Sequence, residues 1–212
     1  MPRRICEACE KLPWSSTAIR RCLCHGCNLD LGSSDHKQKG FLGVDRRDIP
    51  NVDLIWDLES VGTPDFWAQQ MFGAKPIPWP FPSACADKVL MSHVLEHITP
   101  KHTIAVMDEL WRILKFDGQA LIVVPHGNSF GYIQDLTHCT PLNDASFAYL
   151  DPAHESHLYM VYQPKPWKIA RLHSHPQHNV EVVLEPRKKA DGSPIDITIE
   201  KPKTRTRARR RK

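Results

Sequence analysis

No apolar run in this sequence approaches the ~20 residues that a membrane-spanning helix needs. The first residues, Met1-Pro2-Arg3-Arg4-Ile5-Cys6, lack the apolar stretch of a secretory signal. A cytoplasmic protein is therefore expected. Internal repeats are missing too, which argues against solenoids and propellers. With only 10 glycines, the chain has no Gly-x-Gly-x-x-Gly loop, so a nicotinamide-dependent oxidoreductase ranks low. Acidic residues are absent from Lys201 to Lys212, which hold eight Lys or Arg; removing these from a net charge of +4 leaves the rest of the chain at −4. A mildly acidic body is not a nucleic-acid-binding surface, although the basic tail can hold phosphates with strong salt dependence, or stay solvated and disordered.

What is present fits one α/β domain: 212 residues, 41% apolar and 25% charged. Residues 1–27 are Cys-rich, residues 28–184 alternate apolar runs with helical and loop signals, and residues 185–212 turn polar and basic. Short apolar runs at Asn28–Gly32, Phe41–Asp45, Val52–Asp57, Lys88–Ser92 and Gln119–Pro125 read as buried parallel strands. Leu158–Tyr162, Trp167–Leu172 and Val180–Leu184 are candidates for the last strands. One helix is clear. Thr99-Pro100 supplies an N-cap hydroxyl and Pro at the first helical position. Ile104, Met107, Leu110, Trp111 and Leu114 then form an apolar stripe, and Gly118 stands where a left-handed C-cap is wanted. Weaker helical signals lie at Leu142–Leu150 and Pro64–Phe72.

Several strands end in a polar residue and a turn. Leu29-Asp30-Leu31-Gly32-Ser33-Ser34-Asp35 runs from an apolar strand into residues small enough for close backbone approach to a ligand. Phe41-Leu42-Gly43-Val44-Asp45 follows and ends in a carboxylate able to accept two hydrogen bonds from a ribose diol. The next strand ends at Asp57, and the one after runs into Ser92-His93-Val94-Leu95-Glu96-His97-Ile98, just before the helix.

In this order the motifs resemble those of class I S-adenosylmethionine-dependent methyltransferases, particularly small bacterial and phage members. Trp79-Pro80-Phe81-Pro82, Glu109-Leu110-Trp111-Arg112-Ile113-Leu114-Lys115, Val123-Val124-Pro125-His126 and Asp135-Leu136-Thr137-His138 continue the resemblance, which covers roughly residues 28–165. It implies a seven-stranded Rossmann-like sheet with the methyl donor across the carboxyl ends of the first strands. The link between the first two strands is too short for a full helix, so an abbreviated first crossover is expected, with the short Cys-rich segment ahead of the domain and the basic tail behind it. Carried over, Gly32, Ser33 and Ser34 would border the methionine part of the donor, and Asp30 would shape the first loop and orient the donor's amino group. Asp45 would hold the ribose hydroxyls, Asp57 the adenine region, and His93 would lie beside the donor. Ser34 replaces a second Gly of the family pattern, Lys115-Phe116-Asp117-Gly118 a Lys-Pro-Gly-Gly, and Leu136 a commoner Pro.

Methyl transfer from a sulfonium is an in-line displacement that positioning alone can largely catalyse, so no protein nucleophile is expected. His126, then Asp135 and His138, are the candidate bases for an acceptor that must lose a proton. Asp135 and His138 can equally serve to hold a loop together. For His97 a capping role directed away from the donor is favoured, for Glu96 that of a helix-start acid, and for Trp111 a place in the core. Cys6-x-x-Cys9 and Cys24-x-x-Cys27, fourteen residues apart, offer the four thiolates of a structural zinc site. The competing reading is a catalytically idle, zinc-containing nucleic-acid-binding or adaptor protein on the same fold. The acceptor is not legible in the sequence.

Overall fold

The computed structural model describes residues 26–61 and 79–197. Seven strands form one sheet: β1 (Cys27–Leu31), β2 (Leu42–Asp45), β3 (Leu54–Ile55), β4 (Ala86–Ser92), β5 (Leu114–Pro125), β6 (Trp167–Ser174) and β7 (Asn179–Pro186). Their spatial order is β3-β2-β1-β4-β5-β7-β6. The first five run parallel, while β7 is antiparallel to both β5 and β6. From β1 the chain steps outward through β2 to β3, then returns to the other side of β1 as β4. Strand order thus reverses beside β1, and this is where open α/β sheets leave a crevice at their carboxyl ends.

Leu29, Leu31, Val44, Val89, Met91, Ile122 and Val124 are essentially inaccessible, as expected of strands covered on both faces. Helix α1 (Pro100–Ile113) covers one face, burying Val106, Met107, Leu110, Trp111 and Ile113. Each such side chain contributes roughly 1.5–3 kcal/mol by leaving water. Trp111 is core, as expected, and its indole N–H donates to the Pro166 carbonyl at 2.9 Å. Short helices follow: α2 (Phe130–Ile133), α3 (Asp144–Ala148) and α4 (Tyr159–Tyr162).

Several expectations need correction. Leu158–Tyr162 is a helical turn rather than a strand, closed by Gln163 in the left-handed region (φ 48°). A run of five apolar residues fits either period, and β7, not this segment, pairs with β5. Gly118 does not cap α1. The helix stops at Ile113, and Gly118 lies within β5, where the register jumps from Ala86↔Leu114 to Lys88↔Gln119. A Cβ at Gly118 would stand 3.0 Å from the Asp87 carbonyl oxygen, so the glycine serves close strand approach. Thr99 is the N-cap of α1 but makes no side-chain cap bond, because its hydroxyl donates to Glu59 instead. Residues 185–197, assigned by composition to the basic tail, complete β7 and pack back on the domain, with Lys188 only 4% exposed. The link between β1 and β2 contains no helix, so the first crossover is abbreviated. Cys6, Cys9, Cys24, the Pro64–Phe72 segment and the basic run 201–212 lie outside the described residues. Cys27 is buried at the head of β1.

Candidate functional site

The loops after β1, β2, β3 and β4 enclose a cleft of about 310 Å³. This is the lower end of the range for small-molecule sites. Gly32 forms its floor beside Val94. With φ at +72° and only 2.3 Å between a would-be Cβ and Val94 Cγ2, no other residue fits there. The Gly32 and Ser33 N–H groups both donate to the Val44 carbonyl, at 2.7 and 3.1 Å, and fasten this loop to β2.

Asp45, at the end of β2, lines the cleft although it is only 6% exposed. Its Oδ2 accepts the Ser34 N–H at 3.0 Å, and its Oδ1 accepts the Arg47 N–H and Nε–H, each at 3.0 Å. Arg47 Nη2 adds a bond to Oδ2 at 3.2 Å. Burial works against the carboxylate, but these donors outweigh it and hold its pKa below the usual carboxylate range. Ser34 reaches this position in the left-handed region (φ 51°), a conformation that favours glycine over an L-residue.

Trp56, Asp57 and Glu59 continue the wall. Asp57 caps the 3-10 turn Leu58–Ser60, accepting the Glu59 N–H at 2.9 Å. Glu59 accepts both the N–H and the hydroxyl of Thr99 at 2.7 Å, which ties the exit of β3 to the start of α1. On the opposite side stand His93, His97 and Thr137. His93 sits at φ 57° directly after β4, with its N–H on the Val123 carbonyl at 2.8 Å. Its Nδ1 lies 3.3 Å from Glu96 Oε1. That contact pushes the imidazole pKa up, against the opposing effect of burial.

A family model described as a methyltransferase domain matches residues 67–122. The match takes in β4, α1 and most of β5, in a sheet whose crevice has the lining just described. The sheet is Rossmann-like in its strand order, and the matched segment is similar to a methyltransferase domain. Solved structures similar to the chain include a SAM dependent methyltransferase from Archaeoglobus fulgidus, at 14% identity over 76% of this chain and 86% of that one, with a TM-score of 0.47. Another is the 1,6-didemethyltoxoflavin-N1-methyltransferase of Burkholderia thailandensis, solved with 1,6-didemethyltoxoflavin and S-adenosylhomocysteine, at 14% identity over 75% and 70% of the two chains and a TM-score of 0.47. A third, described as a type 11 methyltransferase from Sulfolobus solfataricus, shares 15% identity over 78% and 86%, with a TM-score of 0.41. A comparison with curated protein sequences finds no match.

Of the residues expected around a methyltransferase donor, Gly32, Asp45, Asp57 and His93 line the cleft. Asp30, Ser33 and Ser34 stand behind it. Asp30 is 5% exposed and accepts the Gln38 N–H at 2.7 Å, shaping the loop between β1 and β2; burial raises its pKa. The candidate bases divide. His126 is 6% exposed and does not line the cleft; its Nδ1 accepts the Asn128 N–H at 3.1 Å, which makes it an anchor for the loop after β5. Asp135 and His138 come together with Thr137 behind the cleft edge, where Thr137 donates its N–H at 2.8 Å and its hydroxyl at 2.7 Å to Asp135 Oδ1.

One expectation about the segment after β4 is overturned. His97 faces the cleft rather than away from it, because Leu95–His97 forms a 3-10 turn in place of the first turn of a helix. Glu96 stands in the first turn of this 3-10 helix, as a helix-start acid should, and is fully buried. Arg47, Trp56, Glu59 and Thr137 were not anticipated as lining residues. Glu59 sits in the short 3-10 turn and the others in loops, where no periodic signal marks a side chain's direction.

Proposed function

We propose that this chain transfers a methyl group from S-adenosylmethionine to an acceptor bound over the same cleft. The observation that carries this reading is Asp45: a buried, ionised carboxylate at the end of β2, facing a cleft whose floor is a glycine no other residue can replace. The lining fits the donor's parts. Asp45 would accept the ribose hydroxyls in place of the Arg47 guanidinium, whose side chain is 54% exposed and free to withdraw. Gly32 would let the backbone approach the methionine portion, and Trp56 and Asp57 would flank the adenine. When bound, the donor supplies a methyl on an activated sulfonium. The chain's own contribution is to fix its orientation against the acceptor and to exclude water. The reading requires no nucleophilic side chain.

Calorimetric titration with S-adenosylmethionine and S-adenosylhomocysteine tests the proposal. Micromolar binding to either, lost in Asp45→Ala, is the expected result; a folded chain that binds neither refutes it. The paired cysteines ahead of β1 are proposed to hold a structural zinc. Elemental analysis of protein never exposed to chelator should find one zinc per chain fewer once Cys6 and Cys9 are substituted by Ser.

A further inference from the structure

The side of the cleft opposite Asp45 contains a second set of polar groups that donor binding does not use. We propose that Glu96, His97 and His138 form a binding site for a divalent transition-metal cation. Each residue offers one ligand atom, and these atoms lie within 4.8 Å of one another. Metal–ligand bonds are about 2.0–2.2 Å for nitrogen and carboxylate oxygen, so a modest contraction would bring all three onto one ion.

Two independent features point to a cation. The first is Glu96 itself. It is 0% exposed, and among the described residues neither carboxylate oxygen receives a hydrogen bond of acceptable geometry. Its near neighbours are His93 Nδ1 at 3.3 Å and His138 Nε2 at 3.9 Å. A buried carboxylate without donors is costly, and a bound cation is one of the few ways to offset that cost.

The second is the orientation of the imidazoles. His138 Nδ1 lies 2.8 Å from the Tyr132 carbonyl, which can only accept, so Nδ1 carries the hydrogen. In the neutral ring Nε2 is then a bare lone pair, 3.9 Å from Glu96 Oε1 and 3.8 Å from Asp135 Oδ2. A lone pair facing two carboxylates without a cation between them is electrostatically unfavourable. His97 is set in the same way. The Thr137 hydroxyl hydrogen is committed to Asp135 Oδ1 at 2.7 Å, so Thr137 Oγ1, 3.0 Å from His97 Nδ1, must accept from it. Both rings are thus tautomerically fixed with Nε2 available, by carbonyl and hydroxyl partners of the kind that orient metal-binding histidines. The backbone holds the halves together: the Cys139 and Thr140 N–H groups both donate to the Glu96 carbonyl, at 2.9 and 3.0 Å.

Two imidazoles and one carboxylate suit zinc, cobalt or iron(II) rather than magnesium, and three protein ligands leave further coordination positions open. His97 and Thr137 belong to the cleft wall, so an oxygen of the acceptor is what would enter those positions. That last step rests on the methyltransferase reading; cation binding does not.

The full chain, stripped of metal and freed of chelator, is titrated with Co2+ and followed by its d–d absorption. With Cys6 and Cys9 replaced by Ser, one Co2+ without thiolate charge-transfer absorption is expected; the native chain should bind that ion in addition to one held by thiolates. Thr137→Val, an exposed position whose loss should not unfold the chain, should weaken binding about 10–100-fold by freeing the His97 tautomer. Glu96→Gln should weaken it further, with the melting transition of each variant reporting that it is folded. Cobalt bound only through thiolates, or binding unchanged in Thr137→Val and Glu96→Gln, would overturn the proposal. No donor is present in this titration, so its failure leaves the donor assignment untouched, and failure of donor binding leaves the cation site untouched.

Discussion

Two buried carboxylates, Asp45 in the cleft wall and Glu96 behind it, are treated in opposite ways. Asp45 accepts from Ser34 and three groups of Arg47, so the chain supplies its own counter-ion. Glu96 is buried more deeply, yet neither of its oxygens receives a hydrogen bond of acceptable geometry among the described residues. A satisfied carboxylate beside a removable guanidinium is preorganised to exchange one set of donors for another. An unsatisfied one has a vacancy for a positive charge. The contrast separates a place for hydroxyl groups in the cleft wall from a place for a cation at its back.

The largest effect expected from this comparison is on donor affinity. Asp45→Ala should weaken S-adenosylhomocysteine binding by about a hundredfold or more, since charge-assisted hydrogen bonds contribute about 1.5–3 kcal/mol each. The melting temperature should fall little, because Arg47 is exposed enough to be solvated once released. A collapse of the fold in this variant, measured by circular dichroism, would show that the Asp45 network is structural and would break the contrast with Glu96.

Lys188 extends the comparison to a buried cation. Its ammonium donates to the carbonyls of Trp111 at 2.6 Å and of Leu114, and lies 4.6 Å from the Trp111 ring. Burial, helped by the Arg112 guanidinium, nevertheless pushes its pKa down to about 8. With the folded value below the unfolded one, the unfolded chain binds more protons between them, so stability rises with pH across this window. From pH 8 to about 10.5 the gain should approach roughly 2 kcal/mol after allowance for solvent screening. Chemical denaturation across that range should show the gain in the native chain and not in Lys188→Met.

These networks mark the limit of what the sequence discloses. The parallel strands and α1 were legible because their apolar periodicity is long and regular, and Asp45 because a carboxylate after Gly43-Val44 at a strand end has few structural reasons to be there. Residues in loops were not. Ideal helical spacing directs His97 away from the donor, but a 3-10 turn occurs here, and a tighter turn rotates every side chain relative to its neighbours. The burial of Glu96 depends on Cys139 and Thr140 folding over its turn, contacts separated by more than forty residues that carry no local pattern. Lys188 was assigned to a solvated tail for the same reason: its partners are the last carbonyls of a helix far back in the chain.

Replacing Glu96 itself gives a smaller and opposite result from replacing Asp45. In metal-free protein, Glu96→Gln removes a buried charge that lacks donors and should raise stability by about 1–2 kcal/mol, read as a higher denaturation midpoint. The freed partner, His93, is half-exposed and can be solvated, so no uncompensated charge remains. With Cys6 and Cys9 replaced by Ser in both, added zinc should stabilise the chain that keeps Glu96 and not the variant, reversing their order.

The smallest effect concerns the loop that positions Asp45. Ser34 donates its N–H to Asp45 Oδ2 while holding a φ of 51°, a region that costs an L-residue roughly 1–2 kcal/mol. Its hydroxyl contact, to Asp35 Oδ1 at 3.1 Å, is exposed and offsets little of this. Ser34→Gly keeps the N–H and removes the strain, while the unfolded chain gains backbone freedom. The net gain in stability should be about 0.5–1 kcal/mol, measured by denaturant titration at constant m-value. A loss instead would mean that the Ser34 hydroxyl, rather than its backbone, is what the loop requires.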